Sequence, residues 1–182
     1  MAKKVAVLVG SLRKASYTKQ IAQNIINLLP DDFEAEIIEI GNLPFYNEEY
    51  DEGTTPESYT TFRNKISGMD AVIFATPEYN RSVPAVLKNA LDVGSRPYGK
   101  SAWNNKPAVI ISTSIGAISG FGANHHLRQS LTFLNMPVVQ QPEAYIGNVA
   151  SLLNEDGIVT DEGTIGFLQS IVDAFVNLVN KY

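Results

Sequence analysis

Three times along this chain an unbroken apolar run gives way to a polar loop and then to helix-spaced hydrophobics. This cadence constrains the fold more than any other feature. The runs are 5–9 (VAVLV), 71–75 (AVIFA) and 107–112 (PAVIIS). Continuous β-favouring runs suit parallel strands covered on both faces, whereas a half-exposed strand would alternate. After the first run Gly10 ends the strand, and Ile21, Ala22, Ile25, Ile26, Leu28 and Leu29 have the spacing of a helix with one buried face. After the second, Pro84 opens a helix through Leu87, Ala90 and Leu91 to Gly94. After the third, Leu127, Leu131 and Leu134 mark another.

The remaining segments carry weaker signals. Residues 33–40 (FEAEIIEI) alternate and read as a strand near the sheet edge. Residues 41–55 form a long polar and aromatic loop, a length expected where a loop covers or forms something. Thr55 and Pro56 read as N-cap and first residue of a helix over 56–67, with Tyr59, Phe62 and Ile66 inward and Gly68 as the stop. Residues 136–139 (MPVV) read as a short fifth strand, and 140–154 as mostly irregular. Leu168, Ile171, Val172, Phe175, Leu178 and Val179 define a last helix, capped by Thr160 or Asp161.

Strands alternating with helices imply an α/β fold, because parallel neighbours need right-handed crossovers that place helices on both faces. Five such units fit a flavodoxin-like three-layer sandwich, a parallel sheet of order 2-1-3-4-5, in one domain spanning residues 1–182. In that order ligands sit beyond the C-terminal strand ends near the β1/β3 switch. Loops 10–18, 76–83 and 112–122 follow the first, third and fourth strands, so they converge on one rim.

The first of these loops is suited to an anion. It leads into a helix N-terminus, where backbone N–H groups lack internal acceptors and the helix dipole is positive. Ser11, Ser16, Tyr17 and Thr18 bring hydroxyls there, and Arg13 and Lys14 bring charge. Arg13 can grip a phosphate through two parallel N–H bonds, while Lys14 supplies a point charge. The competing structural reading makes Ser16 a simple N-cap and leaves the cations in water.

Composition removes several alternatives. The 182 residues carry 14 basic and 19 acidic side chains, a net charge of −5, which argues against binding nucleic acid or an acidic membrane. With no cysteine there are no disulfides, thiolate metal sites or cysteine nucleophiles, so redox chemistry would require a bound cofactor. The N-terminal residues lack a signal-peptide pattern and no apolar run is long enough to span a membrane, so a cytoplasmic location is expected. His125 and His126 are adjacent and point apart on a helix, which favours structural or interface roles, and no metal site is expected. Tyr98 and Trp103 read as anchors for a subunit contact or a pocket mouth.

Three stretches resemble the NADPH-dependent FMN reductases, including chromate, quinone and azo reductase-like members. They are GSLRKASYT (10–18), PEYNRSVPAVLKNALDVGSRP (77–97), and SGFGANHHLRQSLTFL (119–134) followed by QPEAYIG (141–147). The resemblance runs in order through essentially the whole chain, and the Pro-Glu-Tyr-Asn segment is its specific part. It implies non-covalent FMN and a homodimer or homotetramer. Ser11, Arg13, Ser16 and Thr18 would hold the FMN phosphate, with Tyr17 beside them. Pro77, Glu78, Tyr79 and Asn80 would meet the isoalloxazine and ribityl region, and Ser112, Ser114, Ile115 and Gly116 would close the other side. Thr18 stands where the family commonly has Asn, and Ser119 replaces the first of two glycines. Without that context, Glu78 reads as a solvated loop carboxylate and Tyr79 as a surface ring.

The implied activity is a ping-pong transfer. NADPH or NADH passes hydride to the flavin, which then reduces a small acceptor such as a flavin, a quinone, an azo compound or chromate. No side chain is expected to act as a catalytic group, because the flavin carries the chemistry. The alternative is a flavodoxin-like electron carrier serving partner proteins. Arg13 and Lys14 in the phosphate loop favour the reductase, since a carrier's loop is rich in Thr, Ser and Gly.

Overall fold

The computed structural model describes residues 2–182. In chain order the elements are β1 (Lys3–Val9), α1 (Tyr17–Asn27), β2 (Phe33–Ile37), α2 (Glu49–Glu52), α3 (Glu57–Ser67) and β3 (Ala71–Pro77). There follow α4 (Ala85–Gly94), β4 (Ala108–Thr113), α5 (Phe121–Phe133), β5 (Ala144–Ile146), a 3-10 turn (Val149–Ser151) and α6 (Glu162–Val179). All strand pairings are parallel, and the order is β2-β1-β3-β4-β5, as expected.

The strand alternation divides the core into two layers. Val5, Val7 and Val9 face α1 and α6, while Ala6 and Leu8 face α3, α4 and α5. Both faces of β1, β3 and β4 are therefore covered, which is why their sequences show no polar side.

The structure corrects four local expectations. The fifth strand is Ala144–Ile146, paired with Ile111, Ser112 and Thr113, and not 136–139. The earlier stretch meets the start of β4 through one isolated bridge, Ala108 to Val138, and then leaves the sheet. Three residues carry too little periodicity to announce a strand, and β5 exists by pairing with β4. Secondly, β2 ends at Ile37, where its register with β1 stops at Val7. Phe33, Ala35 and Ile37 pack on the α1/α6 side, whereas Ile38 and Ile40 are buried in the opposite layer, so the apolar pattern changes phase at the strand end. Thirdly, Pro56 is the N-cap of α3 and not its first residue. Finally, Trp103 is not a surface anchor. It is fully buried against Phe62 and Phe74, and its indole N–H donates to the Leu91 carbonyl at 3.0 Å. Tyr98 does remain 92% exposed.

The long 41–55 connection covers the α3/α4 face and contains α2. Asn89 on α4 pins it, accepting from the Tyr46 N–H at 2.8 Å and donating to the Pro44 carbonyl at 2.9 Å. A forked Asp51–Arg63 pair at 2.7 and 3.1 Å ties α2 to α3.

Candidate functional site

The ends of β1, β3 and β4 enclose a cavity of about 180 Å³ at the rim predicted by topology. It lies where α1 begins. Ser11, Arg13, Ser16, Tyr17 and Thr18 line it from the first loop, Pro77, Glu78 and Tyr79 from the second, and Ser114 and Ile115 from the third.

The α1 start shows how the turn is built. Ser16 is extended, nearly buried, and accepts from the Lys19 N–H at 3.2 Å, so it is the N-cap and a cavity wall together. That bond leaves Tyr17 and Thr18, the first two helical residues, without an intrahelical acceptor for their N–H groups. Arg13 places its guanidinium 5.8 Å from the centre of the Tyr17 ring, which holds a cation at the mouth. The Thr18 hydroxyl turns to Thr113 at 2.7 Å, a buried bond joining the start of α1 to the end of β4.

The second loop is a tight hairpin. Tyr79 and Ser82 exchange backbone hydrogen bonds at 3.1 and 2.9 Å, and Asn80 and Arg81 both adopt positive φ, 50° and 64°. Asn suits such a corner because it tolerates the left-handed region. Glu78 is not a solvated carboxylate. Its side chain is only 11% exposed, bridges to Arg81 at 3.3 Å, and accepts from the Ala123 N–H at 3.0 Å. The N-cap of α5 is Gly120, which has no side chain, so Glu78 caps that helix from another loop and compensates its positive end. Gly122 permits the approach, since a Cβ there would lie 2.6 Å from the Arg81 carbonyl oxygen.

The third loop carries the Ser119 departure. Ser119 takes φ 61° and Gly120 φ 73°, so the backbone follows a left-handed path at both positions. The Ser119 hydroxyl donates to the Ala117 carbonyl at 2.9 Å within the turn.

Asn80, Ser112 and Gly116 are not cavity-lining. Asn80 sits exposed at the hairpin corner, and Gly116 is exposed in the third loop. Ser112 is fully buried in β4, where its hydroxyl donates to the Ser119 carbonyl at 2.9 Å and shapes the loop from below. Thr113 and Val149 also line the cavity, and neither is among the sequence candidates. Thr113 ends its strand inside a segment already marked, but Val149 follows the concealed β5.

Beside the cavity, Phe121, His125 and Tyr145 form an aromatic group on α5 and β5. His125 Nε2 and the Tyr145 hydroxyl are 2.9 Å apart, and His126 Nδ1 lies 2.9 Å from the Ser82 hydroxyl. The two histidines therefore serve different neighbours. Partial burial, then the nearby Glu143 carboxylate, pushes the Tyr145 phenol up to about 12, so it stays protonated near neutrality. Among the described residues no cluster suits a metal ion, and no helix is long and apolar enough to cross a membrane.

The arrangement fits FMN by the nature of its donors. A helix N-terminus, hydroxyls and a guanidinium would suit a phosphate, and the one enclosed carboxylate is already committed to α5. A volume of about 180 Å³ is smaller than the about 300–1,000 Å³ of typical small-molecule pockets, and the cavity opens onto a rim where Tyr79 and Ile115 are exposed. A larger groove of about 560 Å³ lies between α4 and α5, away from the C-terminal strand ends and from the start of α1.

Comparison with known proteins agrees. The family model for NADPH-dependent FMN reductase matches residues 3–151. A quinone reductase of Pseudomonas putida is 55% identical over 175 residues, covering 96% of this chain and 94% of its own. A 2-hydroxy-1,4-benzoquinone reductase of a Burkholderia species is 44% identical over 175 residues, covering 96% and 95%. Among solved structures, the flavoenzyme NAD(P)H:(acceptor) oxidoreductase FerB of Paracoccus denitrificans superimposes with a TM-score of 0.93 at 42% identity, covering 99% and 98%.

Proposed function

Because this chain belongs to the NADPH-dependent FMN reductase family, and is an NAD(P)H-dependent flavin oxidoreductase, we propose that it reduces small acceptors, quinones above all, by a ping-pong mechanism. The carrying observation is the junction at the β1, β3 and β4 ends, where a cationic helix start meets two loops offering backbone rather than charge. FMN, when bound, supplies the redox chemistry by taking a hydride from the nicotinamide and delivering the electron pair to the acceptor.

The chain's own part is to hold and position. Ser11, Arg13, Ser16 and the N–H groups of Tyr17 and Thr18 hold the phosphate. In the second loop Glu78 and Asn80 offer main-chain donors and acceptors to the ring edge, Pro77 and Tyr79 frame it, and the Glu78 side chain keeps the loop fastened to α5. Ser114, Ile115 and Gly116 close the opposite side, with Ser112 supporting them from the strand. Donor and acceptor use the same open rim in turn, which accommodates quinones, free flavin, azo compounds or chromate. The quinone preference rests on the relatives named for quinones.

The working unit is a single domain that pairs with a second copy. Phe133, 83% exposed at the edge of the α4/α5 groove, and Tyr98 are large apolar side chains that association would cover. The setting is the cytoplasm.

The test is spectroscopic. FMN-saturated protein should bleach at the flavin absorbance on anaerobic addition of NADPH or NADH and recover on addition of 1,4-benzoquinone. Protein that binds no FMN, or binds it without bleaching, sinks the proposal. Parallel lines in double-reciprocal plots support ping-pong turnover, and intersecting lines refute it.

A further inference from the structure

A second cleft, of about 490 Å³, opens on the same rim beside the candidate FMN cavity and shares Ser11 and Arg13 with it. It lies at the C-terminal ends of β1 and β2, on the side of the first loop away from β3. Arg13, Lys14 and Lys19 bring three cations to its walls. Among the described residues none of the three is in an ion pair. The one carboxylate, Glu39, is already engaged, accepting from the Gly41 N–H at 2.7 Å. Positive charge therefore prevails in this cleft, in a chain whose net charge is −5. Leu12 also lines it and is 61% exposed, an apolar side chain left in water beside the cations. The α4/α5 groove offers a contrast, because its Lys88 is paired with Asp92 at 2.7 Å.

A ligand matching these walls has an anion at one end and an apolar face next to it. We infer, resting on the reading that FMN occupies the neighbouring cavity, that this cleft takes the 2′-phosphoadenosine end of NADPH. Lys14 and Lys19 are then the residues that distinguish NADPH from NADH. The shared wall makes the two sites continuous, so a dinucleotide whose nicotinamide lies over the flavin rim can extend past the β1 loop into the cleft. In the other direction, beyond β4, the rim presents the apolar and aromatic side chains of Ile118, Phe121 and Tyr145. Lysines on flexible stems act as point charges, so discrimination should be salt-sensitive.

The experiment uses the FMN-loaded protein with 1,4-benzoquinone as acceptor, comparing wild type with Lys14→Gln, Lys19→Gln and the double variant. Loss of two unpaired cations should raise the KM for NADPH by about tenfold in the double variant, with the NADH KM and both kcat values within about twofold. 2′,5′-ADP should compete with NADPH better than 5′-ADP does, and should lose that advantage in the double variant. Equal changes for both nucleotides, no change for either, or inhibition by inorganic phosphate that ignores the 2′-phosphate would overturn the subsite while leaving flavin reduction intact. Failure of wild-type flavin to be reduced by either nucleotide would overturn the underlying reading and the subsite with it.

Discussion

The hydroxyl pair Thr18–Thr113 joins the start of α1 to the end of β4, 95 residues apart, through one buried bond of 2.7 Å. Replacing either residue by Val removes one hydroxyl and leaves the other, itself buried, without its partner. Each single change should cost the apoprotein about 1–2 kcal/mol, because an unmet buried polar group costs more than a made bond returns. The double Val variant should cost clearly less than the sum, read from urea melts as a double-mutant cycle. Additive losses would mean that the two side chains do not interact. This pair also shows the limit of reading residues singly. Thr18 was legible as a hydroxyl in the anion-binding turn, but its partner was set by the parallel packing of β1 and β4 around β3. Glu78 repeats the lesson. Its sequence context offers a loop carboxylate, and only the fold brings the unsatisfied start of α5 within 3.0 Å of it.

Among elements, α6 has the most explicit start signal. Asp161 was one of two candidate caps, and its carboxylate accepts from the Thr164 N–H at 2.7 Å and from the Thr164 hydroxyl at 2.8 Å. Those two bonds favour the charged form and hold the Asp161 carboxyl below its ordinary value of 3.8. A carboxyl depressed in the folded state stabilises above the unfolded value, and that contribution is lost as pH falls through the folded one. Asp161→Asn keeps a capping oxygen and does not titrate. The stability gap between wild type and this variant should therefore stay constant above about pH 5 and shift against wild type below about pH 4, followed by thermal melts. A gap independent of pH would refute the capping account. The elements the sequence revealed are those with long periodic patterns: β1, β3, β4 and the helices after them. Its blind spot was β5, because three residues beside β4 become a strand by pairing and not by any pattern of their own.

At the scale of the whole molecule, two cores flank the sheet and the C-terminal ends of β1, β3 and β4 meet at the rim that carries the candidate site. The opposite consideration is the surface left uncovered on α5. If a second copy packs against the α4/α5 groove, Phe133→Glu should shift sedimentation from dimer to monomer while far-UV circular dichroism stays unchanged, since the exposed ring would lose its burial and a carboxylate would be desolvated in its place. A variant that sediments like wild type would remove this face from the interface. The sequence by itself determined the parallel α/β class, the 2-1-3-4-5 order and the three loops around the candidate site. Buried strands, helix starts and crossover handedness are written in local pattern and general chirality. Only the tertiary structure decided which side chains face the cavity, that Glu78 caps α5, and that the cationic turn borders two clefts rather than one. Those facts depend on distances between segments far apart in the chain, and such distances exist only once the sheet has brought the strand ends together.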